Sequence, residues 1–316
     1  MKSFFFRDSE IEVLKNMLEN KLLEVNPSSL QSTSKRTPLH FACGTGQLKV
    51  TKLLIQHGAN LESRDFVKNT PLLEACFNKN IDLIKVLILS GANVNSRNKI
   101  GFTPLIYACT MKWNIIERIE CVKLLLEHGA NPNIKSVKNK VPIEIACLKN
   151  QVEIVDLLLK HGSSMNVKIG KSNTLLHHSC QYGFKNLMLV FMKHGADPNI
   201  KDELHMDTPL HKACRSGFYD IAYELIQRGA IIEAQNKDGR TSLHYACTCD
   251  KNTDLIKMLI DNGSSRTMKD NEGNLPIQLC SSEDNRETML YYLPVVKFGR
   301  ISGSKSFCNV RVQCFQ

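Results

Sequence analysis

One short motif returns along this chain at a nearly constant interval. Thr37-Pro38-Leu39-His40-Phe41-Ala42-Cys43 is followed by copies that begin at Thr70, Thr103, Val141, Thr174, Thr208, Thr241 and Leu275. Successive copies start 33, 33, 38, 33, 34, 33 and 34 residues apart. Such a period is typical of small units that stack, because one unit cannot bury its own apolar face. The 316 residues are therefore expected to form one array instead of two ordinary domains.

A second motif follows each copy of the first at a regular distance. It contains glycine, as in His57-Gly58-Ala59-Asn60 and His194-Gly195-Ala196-Asp197, and an apolar stretch precedes it. Thr-Pro favours the start of a helix, because the hydroxyl caps free amides and proline fits the first turn. Glycine favours the end of a helix, where it adopts a left-handed conformation at little cost. Each repeat is therefore predicted to contain two helices.

These two motifs resemble the ankyrin repeat, a unit of 33 residues with a Thr-Pro-Leu-His core. The resemblance covers roughly residues 35–293 and implies an all-α solenoid of stacked helix–turn–helix units. It also implies hairpin-like finger loops, each joining the second helix of one repeat to the first helix of the next. We expect residues 1–34 to form a capping helix or degenerate leading repeat, with its helix over Asp8–Glu24. Residues 35–293 are expected to hold about eight repeats, with a last helix over Arg286–Leu293, and residues 294–316 a basic, weakly ordered tail.

Twelve cysteines and ten histidines raise the question of a metal site. Seven cysteines share one motif position, and Cys280 lies one place earlier in its copy. Stacked helices lie about 8–10 Å apart, too far for a disulfide or a shared zinc ion without distortion. We therefore interpret these cysteines as packing residues and expect no metal and no cofactor. The resemblance implies that the histidines at the motif position tie adjacent turns together by hydrogen bonds: His40, His177, His211 and His244.

The sequence disfavours an enzyme, a secreted protein and a membrane protein. It has no phosphate-binding glycine loop, no Gly-x-Ser-x-Gly motif and no paired catalytic carboxylates. The apolar start, Phe4-Phe5-Phe6, is too short for a signal peptide. No apolar run approaches the ~20 residues that span a bilayer. We expect reduced thiols, a cytoplasmic location with the nucleus as an alternative, and a monomer.

The net charge of +10 is concentrated on three consecutive fingers. Residues 94–102, 134–140 and 165–173 contain no acidic residue, whereas the first finger mixes both signs at Glu62, Arg64, Asp65 and Lys68. An acidic partner segment is expected there, with merely solvated charge as the alternative. The cations predicted to be uncompensated are Arg97, Lys99, Lys135, Lys138, Lys140, Lys168 and Lys171.

Aromatic residues supply a second candidate surface. The resemblance implies that partners bind along the concave face, through finger tips and first helices. Tyrosine and tryptophan bury a large area at low entropy cost, so they are common at interfaces. We expect at least partial exposure and partner contact at Tyr107, Met111, Trp113, Tyr182 and Tyr245, with Trp113 the strongest single candidate. The alternative is that some of them pack between adjacent repeats.

The predicted function is a non-enzymatic interaction scaffold or adaptor that binds an acidic protein segment on the concave face and the central fingers. One alternative is the recognition part of a ubiquitin-ligase adaptor, although no convincing recruiting motif follows Leu293. Another is binding of nucleic acid or anionic lipid by the basic fingers; nucleic acid is disfavoured because aromatics do not alternate with the lysines. Hydroxylation is a further hypothesis, at positions that resemble those modified in ankyrin repeats: Asn95, Asn133, Asn166 and Asn199.

Overall fold

The computed structural model describes residues 8–26, 34–170, 172–250 and 252–292. The contacts within the chain divide it into two compact units, Met1–Met165 and Asn166–Gln316. Each unit is described by itself. The prediction for residues 294–316 lies outside the described residues.

The first unit consists of two layers of helices. The first helices of consecutive repeats pack on one another, and so do the second helices. The first-helix layer holds α2 (Pro38–Thr45), α4 (Pro71–Phe77), α6 (Pro104–Thr110) and α8 (Pro142–Leu148). The second-helix layer holds α1 (Asp8–Glu19), α3 (Leu48–Gln56), α5 (Ile81–Leu89), α7 (Ile115–Glu127) and α9 (Val152–Lys160).

The second unit repeats this arrangement. It begins with an antiparallel pair of two-residue strands, β1 (Lys168–Ile169) and β2 (Asn173–Thr174), with Lys168 opposite Thr174. The first-helix layer holds α10 (Leu175–Gln181), α12 (Pro209–Arg215), α14 (Ser242–Thr248) and the 3₁₀ helix Pro276–Leu279. The second-helix layer holds α11 (Lys185–Lys193), α13 (Tyr219–Gln227), α15 (Thr253–Asp261) and α16 (Glu283–Tyr291). The predicted all-α repeat fold is confirmed.

The seven cysteines at the shared motif position lie in the core of the helix layers. All seven are fully buried and unpaired by disulfides. Burial disfavours the thiolate, and it raises the pKa of Cys43, Cys109, Cys147 and Cys180 to about 12. They behave as small apolar side chains, as the sequence predicts.

The motif histidines join each repeat to the next. In His211, Nδ1 lies 2.8 Å from Thr208 Oγ1 and accepts from the Thr208 amide at 3.1 Å. The opposite nitrogen, Nε2, lies 3.0 Å from the carbonyl oxygen of Arg240 in the following finger. A carbonyl only accepts, so Nε2 carries the proton and the ring is neutral. The same arrangement recurs at His40, His177 and His244.

Two irregular segments differ from the regular repeat. The first helix, α1, ends at Glu19 and not at Glu24 as predicted, because Lys21 turns left-handed and Leu22 N bonds to Met17 O at 2.8 Å. The extra residues of the third repeat lengthen its second helix, which has 13 residues in α7 against 9 in α5.

The histidine bridges predict a pH dependence of stability. Burial lowers the pKa of His40, His177, His211 and His244 below the ordinary value. Unfolding therefore takes up protons as the pH falls below about 6.5, and stability is lost in that direction. Each histidine that takes up a full proton adds about 1.4 kcal/mol per pH unit to the slope. We expect the urea midpoint to fall between about pH 7.5 and about pH 5.5, above the range where carboxyl groups titrate.

A matched variant isolates one bridge. The side-chain oxygen of glutamine at the third helical position can still accept from the backbone amide of the capping threonine, but glutamine does not titrate. His211→Gln should therefore unfold with a shallower pH dependence than the wild type, measured by circular dichroism in urea. An equal midpoint at both pH values in the wild type would contradict this prediction.

Candidate functional site

Two of the predicted partner-binding tyrosines are interior residues. Tyr107 and Tyr245 are buried, so their expected exposure is wrong. Each hydroxyl accepts a hydrogen bond from a finger amide: Asn98 Nδ2 at 2.9 Å for Tyr107, and Asn236 Nδ2 at 2.8 Å for Tyr245. The finger asparagine supplies the hydroxyl with a partner, which allows the ring to pack inward. Burial raises the pKa of both phenols.

Trp113 is also buried, with only 8% of its surface exposed. It lies in the connection between α6 and α7, where its side chain is buried while those of Lys112 and Asn114 are exposed. Arg118 Nη2 fixes this connection by donating to the carbonyl oxygens of Met111 at 3.2 Å and Trp113 at 3.3 Å. Met111 is half-buried, and Tyr182 is 56% exposed, as expected for both. Their roles in binding stay predictions.

Not all of the finger cations are uncompensated. Lys140 forms an ion pair with Glu144, a buried carboxylate at the start of α8. Lys168 forms one with Glu203 of the next finger. The prediction of an uncompensated charge is therefore wrong for Lys140 and Lys168, because it compared residues only within each finger. Lys171 lies outside the described residues.

The finger tips of the first unit form a hydrogen-bonded row. We define the fingertip row as residues 64–68, 97–100 and 135–138. The backbone amide of Lys99 donates to Val67 O at 2.8 Å, and that of Val137 donates to Ile100 O at 3.0 Å. These bonds between consecutive fingers fix the spacing of the tips.

Two arginines and a glycine strengthen this row. Arg64 Nη1 donates to Arg97 O at 3.2 Å, and Arg97 Nη2 donates to Lys135 O at 2.9 Å. A Cβ atom at Gly101 would lie only 2.7 Å from Val137 N, and Gly101 has a φ of +76°. The close approach of these fingers therefore depends on glycine at that position. The result is a preorganised surface.

The fingertip row exposes apolar side chains that sequence analysis missed. Phe66 is 63% exposed and Val137 70%, and Val67 and Ile100 are also exposed. Lys99 Nζ lies 5.4 Å from the centre of the Phe66 ring, within cation–π distance. The signal in the sequence was an apolar residue next to lysine at the tip of an otherwise polar finger, as in Val67-Lys68, Lys99-Ile100 and Val137-Lys138.

The row carries positive charge that its own acids do not neutralise. Glu62 accepts from Asn93 N at 2.8 Å and from Ser96 Oγ at 2.9 Å, so its oxygens are occupied. Asp65 is buried and pairs with Arg36 at 3.8 Å. Six exposed cations form no ion pair with any residue that the structure describes: Arg64, Lys68, Arg97, Lys99, Lys135 and Lys138.

In the second unit, several finger carboxylates are instead paired internally. Lys212 Nζ lies 2.7 Å from Asp202 Oδ2 and 2.9 Å from Asp207 Oδ2, and all three side chains are buried. Burial alone would raise the pKa of Asp202, but hydrogen bonds from Lys212 and His205 hold it below the ordinary value. Arg240 pairs with Asp270 at 3.2 Å. These charges stabilise the fingers and are not available to a partner.

The asparagines of the hydroxylation hypothesis hold one repeat to the next. Asn95 Nδ2 donates to Gly129 O at 3.0 Å, and its Oδ1 accepts from Asn131 N at 2.8 Å. Asn133 and Asn199 make the equivalent bonds to Gly162 and Gly229. Asn166 is exposed. Hydroxylation at these positions stays a prediction, which intact-mass measurement can test.

Within the described part of the chain, no group of three His, Cys, Asp or Glu side chains is placed to hold a metal ion. None of the helices described there is both long and apolar enough to cross a membrane.

Comparison with known proteins identifies the family. A family model for ankyrin repeats, in three copies, matches residues 7–98, 67–136, 143–236, 176–270 and 210–294. A putative ankyrin repeat protein of Rickettsia bellii is 36% identical over 67 residues, which cover 21% of this chain and 28% of that protein. Mouse protein phosphatase 1 regulatory subunit 27 is 42% identical over 74 residues, which cover 23% of this chain and 47% of that protein. The chain thus matches less than half of these relatives' lengths.

Among solved structures, the human ASB11 ankyrin repeat domain resembles the chain with a TM-score of 0.49 and 22% identity, over 81% of this chain and 97% of that one. The family model covers most of the chain, and the chain therefore belongs to the ankyrin-repeat family.

The buried ion group of Lys212 generates a second prediction. Lys212→Met would leave Asp202 and Asp207 buried without their closest cation, and breaking a buried pair in this way costs about 3–5 kcal/mol. Arg215→Met is the matched control, because Arg215 contacts Asp207 at 3.6 Å but is half-exposed. The control variant should lower the free energy of unfolding by about 1 kcal/mol or less. Equal losses in urea denaturation would contradict the assignment of Lys212 as the main partner.

Proposed function

We propose that this chain is a non-enzymatic interaction scaffold whose fingertip row binds an acidic segment of a partner protein that also carries apolar side chains. The observation that carries this proposal is the combination of six cations that form no ion pair with any described residue with exposed Phe66, Ile100 and Val137 on a single hydrogen-bonded row. Charge complementarity would steer encounter, and burial of the apolar tips would hold the complex. Mouse protein phosphatase 1 regulatory subunit 27 is, by its name, a regulatory subunit, which is consistent with a binding role.

The preorganised row suits such a role physically. Its backbone bonds and the Arg64 and Arg97 clamps exist without a partner, so little ordering would be needed on binding. The proposal rests on the finger tips of the first unit rather than on the buried aromatics of the first helices. Exposed Tyr182 and half-buried Met111 stay candidates for additional contacts.

A charge reversal tests this proposal. Lys135→Glu/Lys138→Glu changes two exposed residues without ion-pair partners among the described residues, whereas reversing Lys140 would also unpair buried Glu144. Affinity purification with mass spectrometry should lose the main partner with this variant. With the purified partner, the association rate constant should fall about tenfold or more at low salt, with a weaker salt dependence.

The matched control carries the same charge change on the second-helix layer. Lys52→Glu/Lys123→Glu alters exposed positions on α3 and α7, and the pair between Lys123 and Glu127 is a solvent-exposed one of little energetic weight. This control should retain the partner. Equal recovery of the partner with both variants would remove the fingertip row from the function.

An anionic membrane surface is a second candidate, because apolar side chains next to lysines are the combination that such surfaces bind. Sedimentation with phosphatidylserine vesicles, compared with phosphatidylcholine vesicles, distinguishes it. Binding that is lost in both Lys135→Glu/Lys138→Glu and Ile100→Ser/Val137→Ser would favour the membrane. No sedimentation would exclude it.

Other predictions from the sequence await their own tests. The ligase-adaptor alternative depends on a recruiting motif after residue 292, outside the described residues. Failure to co-purify a cullin or elongin would dispose of it. A monomeric state and a cytoplasmic or nuclear location are also proposals, to be tested by light scattering and by microscopy of the tagged chain.

A further inference from the structure

The last repeat differs from the others at its cysteine. Cys280 lies one place earlier in the motif than the other repeat cysteines and directly follows the 3₁₀ helix Pro276–Leu279. The backbone amide of Ser281 donates to the carbonyl oxygen of Cys247 at 3.1 Å. This bond brings the backbone next to Cys280 against the C-terminal turn of α14.

The two side chains meet there. The thiols of Cys247 and Cys280 lie close enough to shift each other's pKa. Cys247 is fully buried, whereas Cys280 is only half-buried. Cys76 and Cys121 are also in thiol contact, but both are fully buried. The described residues thus contain two close thiol pairs that differ in access to solvent.

The surroundings of Cys247 and Cys280 differ, and this difference gives the two thiols different chemical roles. The hydrogen bond from Cys247 lowers the pKa of Cys280, and Arg286 contributes in the same direction. The same hydrogen bond, together with burial, raises the pKa of Cys247. Cys280 is the thiol of the pair that solvent reaches, and the thiolate is the nucleophilic form, so Cys280 is the reactive partner and buried Cys247 the resolving thiol.

We propose that Cys280 and Cys247 form an oxidation site, at which a hydroperoxide such as hydrogen peroxide produces a disulfide between the last two repeats. The Cys280 thiolate attacks one peroxide oxygen, an S–O bond forms, the O–O bond breaks, and the departing hydroxide takes up a proton as water. Cys247 then attacks the sulfenic sulfur, and the expelled hydroxide takes the Cys247 proton. Two thiols and one hydrogen peroxide thus give one disulfide and two waters.

The neighbouring thiol Cys249 is the main competitor. Its Sγ donates to the carbonyl oxygen of Arg215 at 2.8 Å, away from Cys280. The carbonyl oxygen of Cys249 also accepts from Asn285 Nδ2 at 2.6 Å, which fixes the local backbone. Cys249 is therefore occupied by another contact while Cys247 faces Cys280.

Peptide mapping of the full reduced chain tests this assignment. After graded hydrogen peroxide and alkylation of the remaining thiols, the digest should contain a Cys247–Cys280 cross-linked peptide, lighter than its two reduced parts by two hydrogen atoms. It should form at roughly a tenth or less of the peroxide concentration that oxidises Cys76 or Cys121, because those thiols are enclosed. Detection of Cys280 as a free thiol under these conditions, or linked to Cys308 or Cys314, would overturn the proposal.

Variants separate the two roles. Cys249→Ser should retain the cross-link, whereas Cys280→Ser should leave Cys247 reduced. In Cys247→Ala the resolving thiol is absent, so Cys280 should persist as a sulfenic acid and be trapped by dimedone. Equal oxidation of Cys76–Cys121 and Cys247–Cys280 in the wild type would show that solvent access does not select the site, and would also overturn the proposal.

Discussion

In four repeats, at His40, His177, His211 and His244, a neutral imidazole joins one repeat to the next. One ring nitrogen accepts from the threonine that starts its own helix, and the other donates to a carbonyl of the next finger, as at His211. A single side chain therefore couples local helix initiation to the stacking of neighbours. Because repeats contact only their neighbours, regularity accumulates from such pairwise bonds. In the fingertip row, His40 holds the base of the first finger through Asn69 O, and the backbone bonds between neighbouring tips fix their spacing.

The features that the sequence predicted are those determined inside one repeat. Helix pattern, the buried cysteine position and the histidine bridge all follow from residues at fixed places in the motif. The orientation of Tyr107 and Tyr245 does not, because a tyrosine at that position points inward only if an asparagine of the finger can satisfy its hydroxyl. Asn98 and Asn236 each precede their tyrosine by nine residues. That spacing was visible in the sequence, but its meaning required the fold.

Charge was predicted less well than packing for the same reason. The sequence shows which finger contains a lysine, but ion pairs form between elements, as between Lys168 and Glu203. Counting within fingers therefore overestimated the charge around Lys140, and it did not show that Asp65 of the first finger pairs with Arg36. The positive surface moves toward Arg64 and Lys68 once these pairs are assigned. The apolar tips then lie within the positive region, which changes the expected partner from simply acidic to acidic and partly apolar.

In the last repeat, a cysteine becomes reactive because its surroundings differ from those of the other repeat cysteines, although the residue type is the same. In the interior repeats, a cysteine enclosed by helices on both sides has a thiol that water and oxidants do not reach, and its pKa rises accordingly. At the final junction the first helix is reduced to one 3₁₀ turn, and the register shift brings a second thiol into contact. Cys247 keeps the buried position of its counterparts while Cys280 reaches the surface. The reactivity of Cys280 arises because the last repeat has a short 3₁₀ helix in place of a full first helix. It is therefore a property of the end of the array and not of the repeat motif.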